Sequence, residues 1–113
     1  EDFLVYSGDD SLTLPMLAVG AYGVVSVATH VAGKLIHDMI YAYLDGKVEE
    51  AHRLHLKLFP LFKNLFITTN PIPVKKAAAL CGLPAGGLRL PLVEASPKET
   101  EIIRETLAGL DLV

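Results

Sequence analysis

The chain has 113 residues and a mass of 12.2 kDa, the size of one small domain. Hydrophobic residues make up 51% and charged residues 20%, with a mean hydropathy of +0.41, so the composition is apolar for this size. The net charge of −3 lacks the basic surplus that binding to nucleic acid or an anionic membrane requires, and the sequence therefore predicts neither partner.

Cysteine usage and hydropathy predict a cytoplasmic location. Cys81 is the single cysteine and cannot form a disulfide within the chain, which is typical of a reducing compartment. No apolar run approaches the roughly 18 residues that span a bilayer, and the first residues lack the features of a secretion signal. The chain opens with Glu1 and enters a strand-like run at once, so we expect the sequence to start inside a longer protein.

The first part of the chain predicts a β-α-β unit. The runs FLVYSG (3–8) and GVVSVAT (23–29) are apolar or β-branched, which indicates strands buried on both faces of a parallel sheet. The segment 11–20 predicts a short helix with Asp10 or Ser11 as its N-cap and Gly20 as its end. Two parallel strands leave both outer edges unpaired, so the pattern implies neighbouring strands outside this sequence.

From Thr29 onward the sequence predicts four helices. The first covers 29–46 and places Val31, Leu35, Met39, Ile40 and Tyr43 on one side. The second covers 47–67, with a kink expected at Pro60.

The third and fourth helices are predicted from their end signals. The third covers 70–82, with Asn70 as N-cap, Pro71 in the first turn and Gly82 just past the end. Glycine and proline make 83–95 irregular. The fourth covers 96–112, opens with a Ser-Pro-x-Glu capping box, and buries Ile102, Ile103, Thr106, Leu107 and Leu110.

An acidic pair follows the first predicted strand. Asp9 and Asp10 come directly after Gly8, and ligands of parallel α/β sheets bind outside the carboxyl ends of the strands. The alternative is structural: Gly8 makes the turn and an aspartate caps the next helix. Both roles are compatible. A phosphate site is disfavoured, because two carboxylates stand there with no lysine or arginine nearby in the sequence.

No other motif predicts a complete catalytic site. The spacing of Gly20 and Gly23 is not that of a dinucleotide-binding loop. His52 and His55 are three residues apart, but no further ligands accompany them, so we interpret them, and likewise His30 and His37, as solvated helix positions. No nucleophile has a base at a suggestive spacing, and no lysine lies in a desolvating context. The sequence predicts no metal and no cofactor.

Three runs carry a resemblance to a known family: YSGDDSLTLPMLAVGAYGVVSVATHVAG, NPIPVKKAAALCGL and LRLPL. Together they resemble the C-terminal part of the dihydrodipicolinate synthase (4-hydroxy-tetrahydrodipicolinate synthase) family. SGDD and GVVSV recur more loosely in related pyruvate aldolases such as N-acetylneuraminate lyase, whereas NPIPVK is more characteristic of the dipicolinate branch.

The resemblance implies an α/β fold that is the C-terminal portion of a (β/α)₈ TIM barrel. Segments 3–7 and 23–28 would be the seventh and eighth strands, and 29–45 the eighth barrel helix. Residues 1–46 would then be the last two β/α units, and 47–113 a C-terminal helical appendage.

The resemblance also implies an activity. The family condenses pyruvate with L-aspartate 4-semialdehyde, a step of lysine and diaminopimelate biosynthesis, through an imine between pyruvate and a lysine. That lysine, a proton-transferring tyrosine and a Thr-Thr-Gly-Glu segment correspond to positions before Glu1. We therefore expect no catalytic residue in this chain and no activity from it alone. The family also implies a homo-oligomer, tetrameric or dimeric.

The resemblance assigns binding roles to four residues. Val25 matches an aliphatic residue of the pyruvate pocket that is isoleucine in many relatives, and Gly8, Asp9 and Asp10 match the rim near the aldehyde substrate. Two alternatives remain open at this point. One is another pyruvate-dependent aldolase of the N-acetylneuraminate lyase superfamily, and the other is a non-catalytic half-barrel module whose strand edges pair with a partner or a second copy.

Overall fold

A computed structural model describes residues 3–113 as two short parallel strands and five α-helices. The elements are β1 (Tyr6–Ser7), a 3₁₀ turn (Asp10–Leu12), α1 (Thr13–Ala18), β2 (Gly23–Val24), α2 (Thr29–Leu44), α3 (Val48–Asn64), α4 (Ile72–Leu80) and α5 (Pro97–Ala108). The β-α-β order and the four later helices of the sequence analysis are confirmed.

The two strands pair in parallel, with Tyr6 opposite Gly23 and Ser7 opposite Val24. Hydrogen bonds from Tyr22 N to Val5 O (2.7 Å) and from Val25 N to Ser7 O (2.8 Å) flank this pairing. Both strands are shorter than the predicted 3–7 and 23–28. A residue counts as strand only where a neighbouring strand bonds to it, and here β1 and β2 pair only with each other, over two residues.

The two faces of the sheet differ in their cover. Ser7 is buried, and Val24 packs from a half-buried position against the helical core. On the opposite face, 46% of Tyr6 and 73% of Val25 are exposed. The prediction of burial on both faces is therefore wrong for residues 3–113, since their helices cover one side of the sheet only.

The start and end of α1 follow from Asp9 and Gly20. Asp9, rather than Asp10 or Ser11, is the N-cap of the 3₁₀ turn that leads into the helix, and its side chain accepts from Ser11 N. Gly20 has a φ of +97°, and Gly20 N and Ala21 N donate to Leu17 O and Met16 O. In this C-cap pattern, backbone N–H groups beyond the last turn donate to the final carbonyl oxygens of the helix. The predicted end of α1 at Gly20 is confirmed.

The helices α2 and α3 form the largest interface of the core. Met39 is fully buried as predicted, whereas Val31, Leu35 and Ile40 pack against the core from half-buried positions. The backbone of α2 departs from helical geometry at Ala32, while α3 continues through Pro60 as one helix.

The last two helices correct one prediction and confirm another. Pro71, not Asn70, occupies the N-cap position of α4, and no side chain caps that helix. At α5 the capping box is confirmed, with Glu99 N donating to Ser96 Oγ (3.3 Å) and Ser96 N donating to Glu99 Oε2 (2.7 Å). The segment 83–95 contains neither helix nor strand, as predicted.

The hydrophobic core lies among α2, α3, α4 and α5. Its most buried large side chains are those of Ile36, Met39, Leu58, Leu61, Leu65, Ile103 and Leu107. Ile103, Leu107 and Leu110 confirm the predicted core face of α5, whereas Ile102 and Thr106 are half-buried. Among residues 3–113, no helix combines the length and the apolar character needed to cross a membrane.

Candidate functional site

The carboxyl ends of β1 and β2 lie side by side because the strands are parallel. The segment after β1 brings Gly8, Asp9 and Asp10 to this edge, and the segment after β2 brings Val25 and Ser26. We call these five residues the rim. The structure thus brings together all four site residues that the sequence analysis named.

Asp10 joins the two halves of the rim. The residue is 4% exposed, and its carboxylate accepts hydrogen bonds from Val27 N (3.1 Å), Ala28 N (3.0 Å) and the Ser26 hydroxyl, with which it makes a short contact. Ala28 is the N-cap of α2, so the carboxylate also lies at the positive end of that helix. Three donors satisfy a buried charge that would otherwise be costly, and they fix the end of β1 against the start of α2.

Asp9 has a different environment from its neighbour. Its carboxylate is solvent-facing and accepts from Ser11 N (2.7 Å) and from Ser11 Oγ (2.6 Å). The Ser11 hydrogen bonds, together with the nearby positive charge of Lys63, hold the pKa of Asp9 below its ordinary value. Asp9 is therefore ionised at neutral pH and presents a negative charge at the rim.

Gly8 and Val25 leave the rim open. A Cβ placed on Gly8 would meet nothing within 4 Å, so the space above this residue is free. Side chains alternate along a strand, which puts Val25 on the same face as Tyr6, away from the helical core. Both side chains are large, apolar and substantially exposed.

A cleft adjoins the rim on the side of α3. Its volume is about 430 Å³, and it is lined by Gly8, Asp9, Ser11, Phe62, Lys63 and Phe66. We call it the rim cleft. Lys63 supplies the cation that the sequence analysis found missing near the acidic pair. Sequence reasoning missed it because more than fifty positions separate Lys63 from Asp9, and no motif links them.

A second cavity of about 410 Å³ lies between the start of α2 and α4. Its lining is mostly apolar, with His30 and Lys75 as the titratable members. The Lys75 ammonium donates to the carbonyl oxygen of Gly87 and thereby ties α4 to the irregular segment. This contact gives Lys75 a structural partner.

The histidines do not form a metal site in the part of the chain that the structure describes. No group of three or more metal-ligating side chains occurs there. His52 is exposed, as interpreted from the sequence, but His55 is half-buried against Phe59 and Phe62, which corrects the solvated interpretation. Burial and the neighbouring His52 lower the pKa of His55.

Comparison with known proteins identifies relatives along the whole chain. The chain is 57% identical to 4-hydroxy-tetrahydrodipicolinate synthase of Desulforamulus reducens over 113 residues, which are 100% of this chain and 38% of the relative. The crystal structure of dihydrodipicolinate synthase from Thermotoga maritima superposes with a TM-score of 0.94 at 44% identity, covering 99% of this chain and 38% of that one.

A third relative carries a bound ligand. Dihydrodipicolinate synthase from Acinetobacter baumannii, solved as a complex with pyruvate, gives a TM-score of 0.91 at 32% identity and covers 98% of this chain and 38% of that protein. This chain therefore spans less than two fifths of the length of these relatives. The structural neighbours are TIM-barrel enzymes, so the two-stranded unit with its helices fits a partial barrel. The model of the dihydrodipicolinate synthetase family matches residues 1–109, and the chain belongs to that family.

Proposed function

We propose that this chain is the C-terminal part of a 4-hydroxy-tetrahydrodipicolinate synthase, a lyase that condenses pyruvate with L-aspartate 4-semialdehyde in lysine and diaminopimelate biosynthesis. One observation carries the proposal: the match to such a synthase, at 57% identity, covers 100% of this chain. The proposal places the reaction in the cytoplasm and involves no cofactor.

The proposal gives the exposed face of the sheet a purpose. In this arrangement β1 and β2 are the seventh and eighth strands of the barrel, α2 is the eighth barrel helix, and residues 47–113 form a helical appendage. The side chains of Tyr6 and Val25 then point into the barrel, where the other strands cover them. An unpaired apolar strand face is otherwise unfavourable, which supports this placement.

The rim residues would act on substrates held by the rest of the barrel. Pyruvate forms an imine with a lysine contributed by an earlier strand, and Val25 provides an apolar wall that excludes water from the imine. Gly8 lets the aldehyde substrate approach the backbone closely, and Asp9 presents its charge beside it. Asp10 belongs to the same rim and keeps the ends of β1 and β2 together.

A chimeric enzyme tests the proposal. Residues 1–113 replace the matching segment of the Desulforamulus reducens synthase, and the protein is treated with pyruvate and borohydride, which traps an imine as a stable adduct. We expect intact mass to show one pyruvate adduct on the chimera and none on this chain alone, and we expect the chimera to consume L-aspartate 4-semialdehyde.

A matched control chimera carries the C-terminal segment of an N-acetylneuraminate lyase instead. It should not support synthase turnover, because the motifs SGDD and GVVSV recur only loosely in that enzyme. Equal activity of both chimeras would favour a general pyruvate-aldolase segment. A folded chimera without a pyruvate adduct would favour a non-catalytic module, whose open strand edges pair with a partner or a second copy. Size-exclusion chromatography of the chimera tests the proposed tetramer or dimer.

A further inference from the structure

The cavity between the start of α2 and α4 is bounded on a further side by the segment that follows α4, and we call it the α2–α4 cavity. Its volume of about 410 Å³ is within the range of small-molecule sites. The residues of its lining that matter below are His30 from α2, Val74, Lys75 and Ala78 from α4, and Leu83 and Pro84 from the following segment.

The walls of the α2–α4 cavity are apolar over most of their extent. Val74 is 7% exposed and belongs to the hydrophobic core, so the cavity reaches down to the core. Leu83 is 48% exposed, and Ala78 is half-buried with a side chain that leaves room above it. Contact with these side chains would remove apolar surface from water, which favours a ligand with an apolar body.

Both titratable groups of the lining are basic side chains. The chain has thirteen acidic residues and a net charge of −3, yet within residues 3–113 no acidic side chain lines this cavity. The Lys75 ammonium has no carboxylate oxygen within 4.0 Å among the described residues, whereas that of its neighbour Lys76 lies 3.4 Å from Glu94. A ring N–H of His30 can donate to an anion. The charge of the lining therefore complements a carboxylate.

The side of the cavity formed by the segment after α4 is held in place by the protein itself. Gly82 has a φ of +77°, and Leu83 N donates to Ala78 O (2.9 Å), which fixes Leu83 against the end of α4. The Lys75 ammonium donates to the carbonyl oxygen of Gly87 and uses one of its three N–H groups there. The other two remain for a ligand, and a preformed cavity reduces the entropy lost on binding.

We propose that the α2–α4 cavity binds a small organic carboxylate with an apolar body. Lys75 and His30 donate to the carboxylate oxygens. Val74, Ala78 and Leu83 pack against the body of the ligand. The bound carboxylate would thereby join α2, α4 and the segment after α4. The inference concerns residues of this chain only and does not depend on the proposed function.

Four small probes test the charge and the apolar body separately. Benzoate, benzamide and benzamidine share one ring and carry a negative, a neutral and a positive group, while acetate has the carboxylate without the ring. Isothermal titration calorimetry at constant ionic strength is run on this chain and, in parallel, on the chimera. We expect benzoate to bind with a Kd of roughly 1 mM. The other three probes should bind at least about tenfold more weakly.

Variants of Lys75 assign the charge effect to this cavity. Lys75→Gln should weaken benzoate binding roughly fivefold, since a charge-assisted hydrogen bond is lost, and Lys75→Arg should keep most of the affinity. Lys76→Gln is the matched control, because Lys76 is the next residue of α4, pairs with Glu94 and does not line the cavity. His30→Ala should weaken binding by about twofold.

A second pair of variants tests the cavity without changing a charge. Ala78→Leu fills the space above α4 and should abolish benzoate binding, whereas Ala79→Leu lies on an exposed position outside the cavity and should leave the Kd unchanged. Circular dichroism verifies that each variant keeps its helices. Equal affinity for benzoate and benzamidine, equal losses in Ala78→Leu and Ala79→Leu, or no benzoate binding by either protein would each overturn the inference. None of these results bears on imine trapping, which tests the proposed function.

Discussion

The sheet and the helical bundle differ in how completely residues 3–113 cover them. In the bundle, Leu58 and Met39 are fully buried. In the strand region, Phe3 is 85% and Val25 73% exposed, although both are as apolar as the core residues. Burial of apolar surface is the main stabilising contribution in folding, so within residues 3–113 the bundle contributes most of this stabilisation and the sheet contributes little. The same difference locates the candidate site, because the uncovered face and the rim lie together.

The largest effect is expected from a cavity in the bundle. Leu58 has no exposed surface and packs in the core of α2, α3 and α5, so Leu58→Ala should lower the free energy of unfolding by about 3 kcal/mol. Leu56→Ala on the same helix is the control, because Leu56 is 57% exposed. Urea unfolding of the chain followed by circular dichroism measures both. Similar losses from the two variants would mean that the bundle does not hold the chain together.

The next effect concerns the junction between the two regions. Asp10→Asn replaces a buried carboxylate that accepts from Ser26, Val27 and Ala28, and places an amide N–H₂ where only acceptors fit. We expect a loss of about 2 kcal/mol in the free energy of unfolding. Asp9→Asn is the matched control, with an expected loss under about 1 kcal/mol, because Asp9 is solvent-facing. If the control is the more damaging variant, the junction role of Asp10 is refuted.

Val25→Asp should have different effects on the stability of this chain and on imine formation in the chimera. Because Val25 is 73% exposed, the unfolding free energy of this chain should change by less than about 0.5 kcal/mol. In the chimera the new carboxylate would face the pyruvate pocket and raise the pKa of the imine-forming lysine, so imine formation at neutral pH should fall at least about tenfold. Borohydride trapping with intact mass measures the yield, and Val25→Ile serves as the control. Equal yields in both variants would remove Val25 from the site.

The sequence predicted local features well and long-range ones poorly. Gly20 and Gly82 mark the C-terminal ends of α1 and α4, and the Ser96–Glu99 capping box marks the start of α5. Such signals act within one turn of a helix, so the sequence alone reveals them. The strand segments and the acidic turn were also identified. The partners of Asp9 and Asp10 were not identified. Folding brings Ser26 to Asp10 and Lys63 to Asp9, and no spacing in the sequence indicates either pair. Burial on both sheet faces was predicted from the apolar runs 3–8 and 23–29, and residues 3–113 do not supply that cover on the face of Tyr6 and Val25.

The smallest effect is a pH dependence within the bundle. Burial beside Phe59 and Phe62, together with the charge of His52, lowers the pKa of His55 in the folded chain, so the folded state binds a proton less readily than the unfolded state. Neutral His55 therefore leaves the stability of the folded chain intact above the unfolded pKa of about 6.5. The free energy of unfolding falls as the pH drops through that value toward the folded pKa. Urea unfolding between about pH 7.5 and 5.5 should show a shallower decline for His55→Gln than for the unmodified chain. His52→Gln should give an intermediate slope, because it removes the neighbouring charge and leaves His55 in its half-buried position. Identical slopes for all three proteins would show that the bundle does not discriminate against protonated His55.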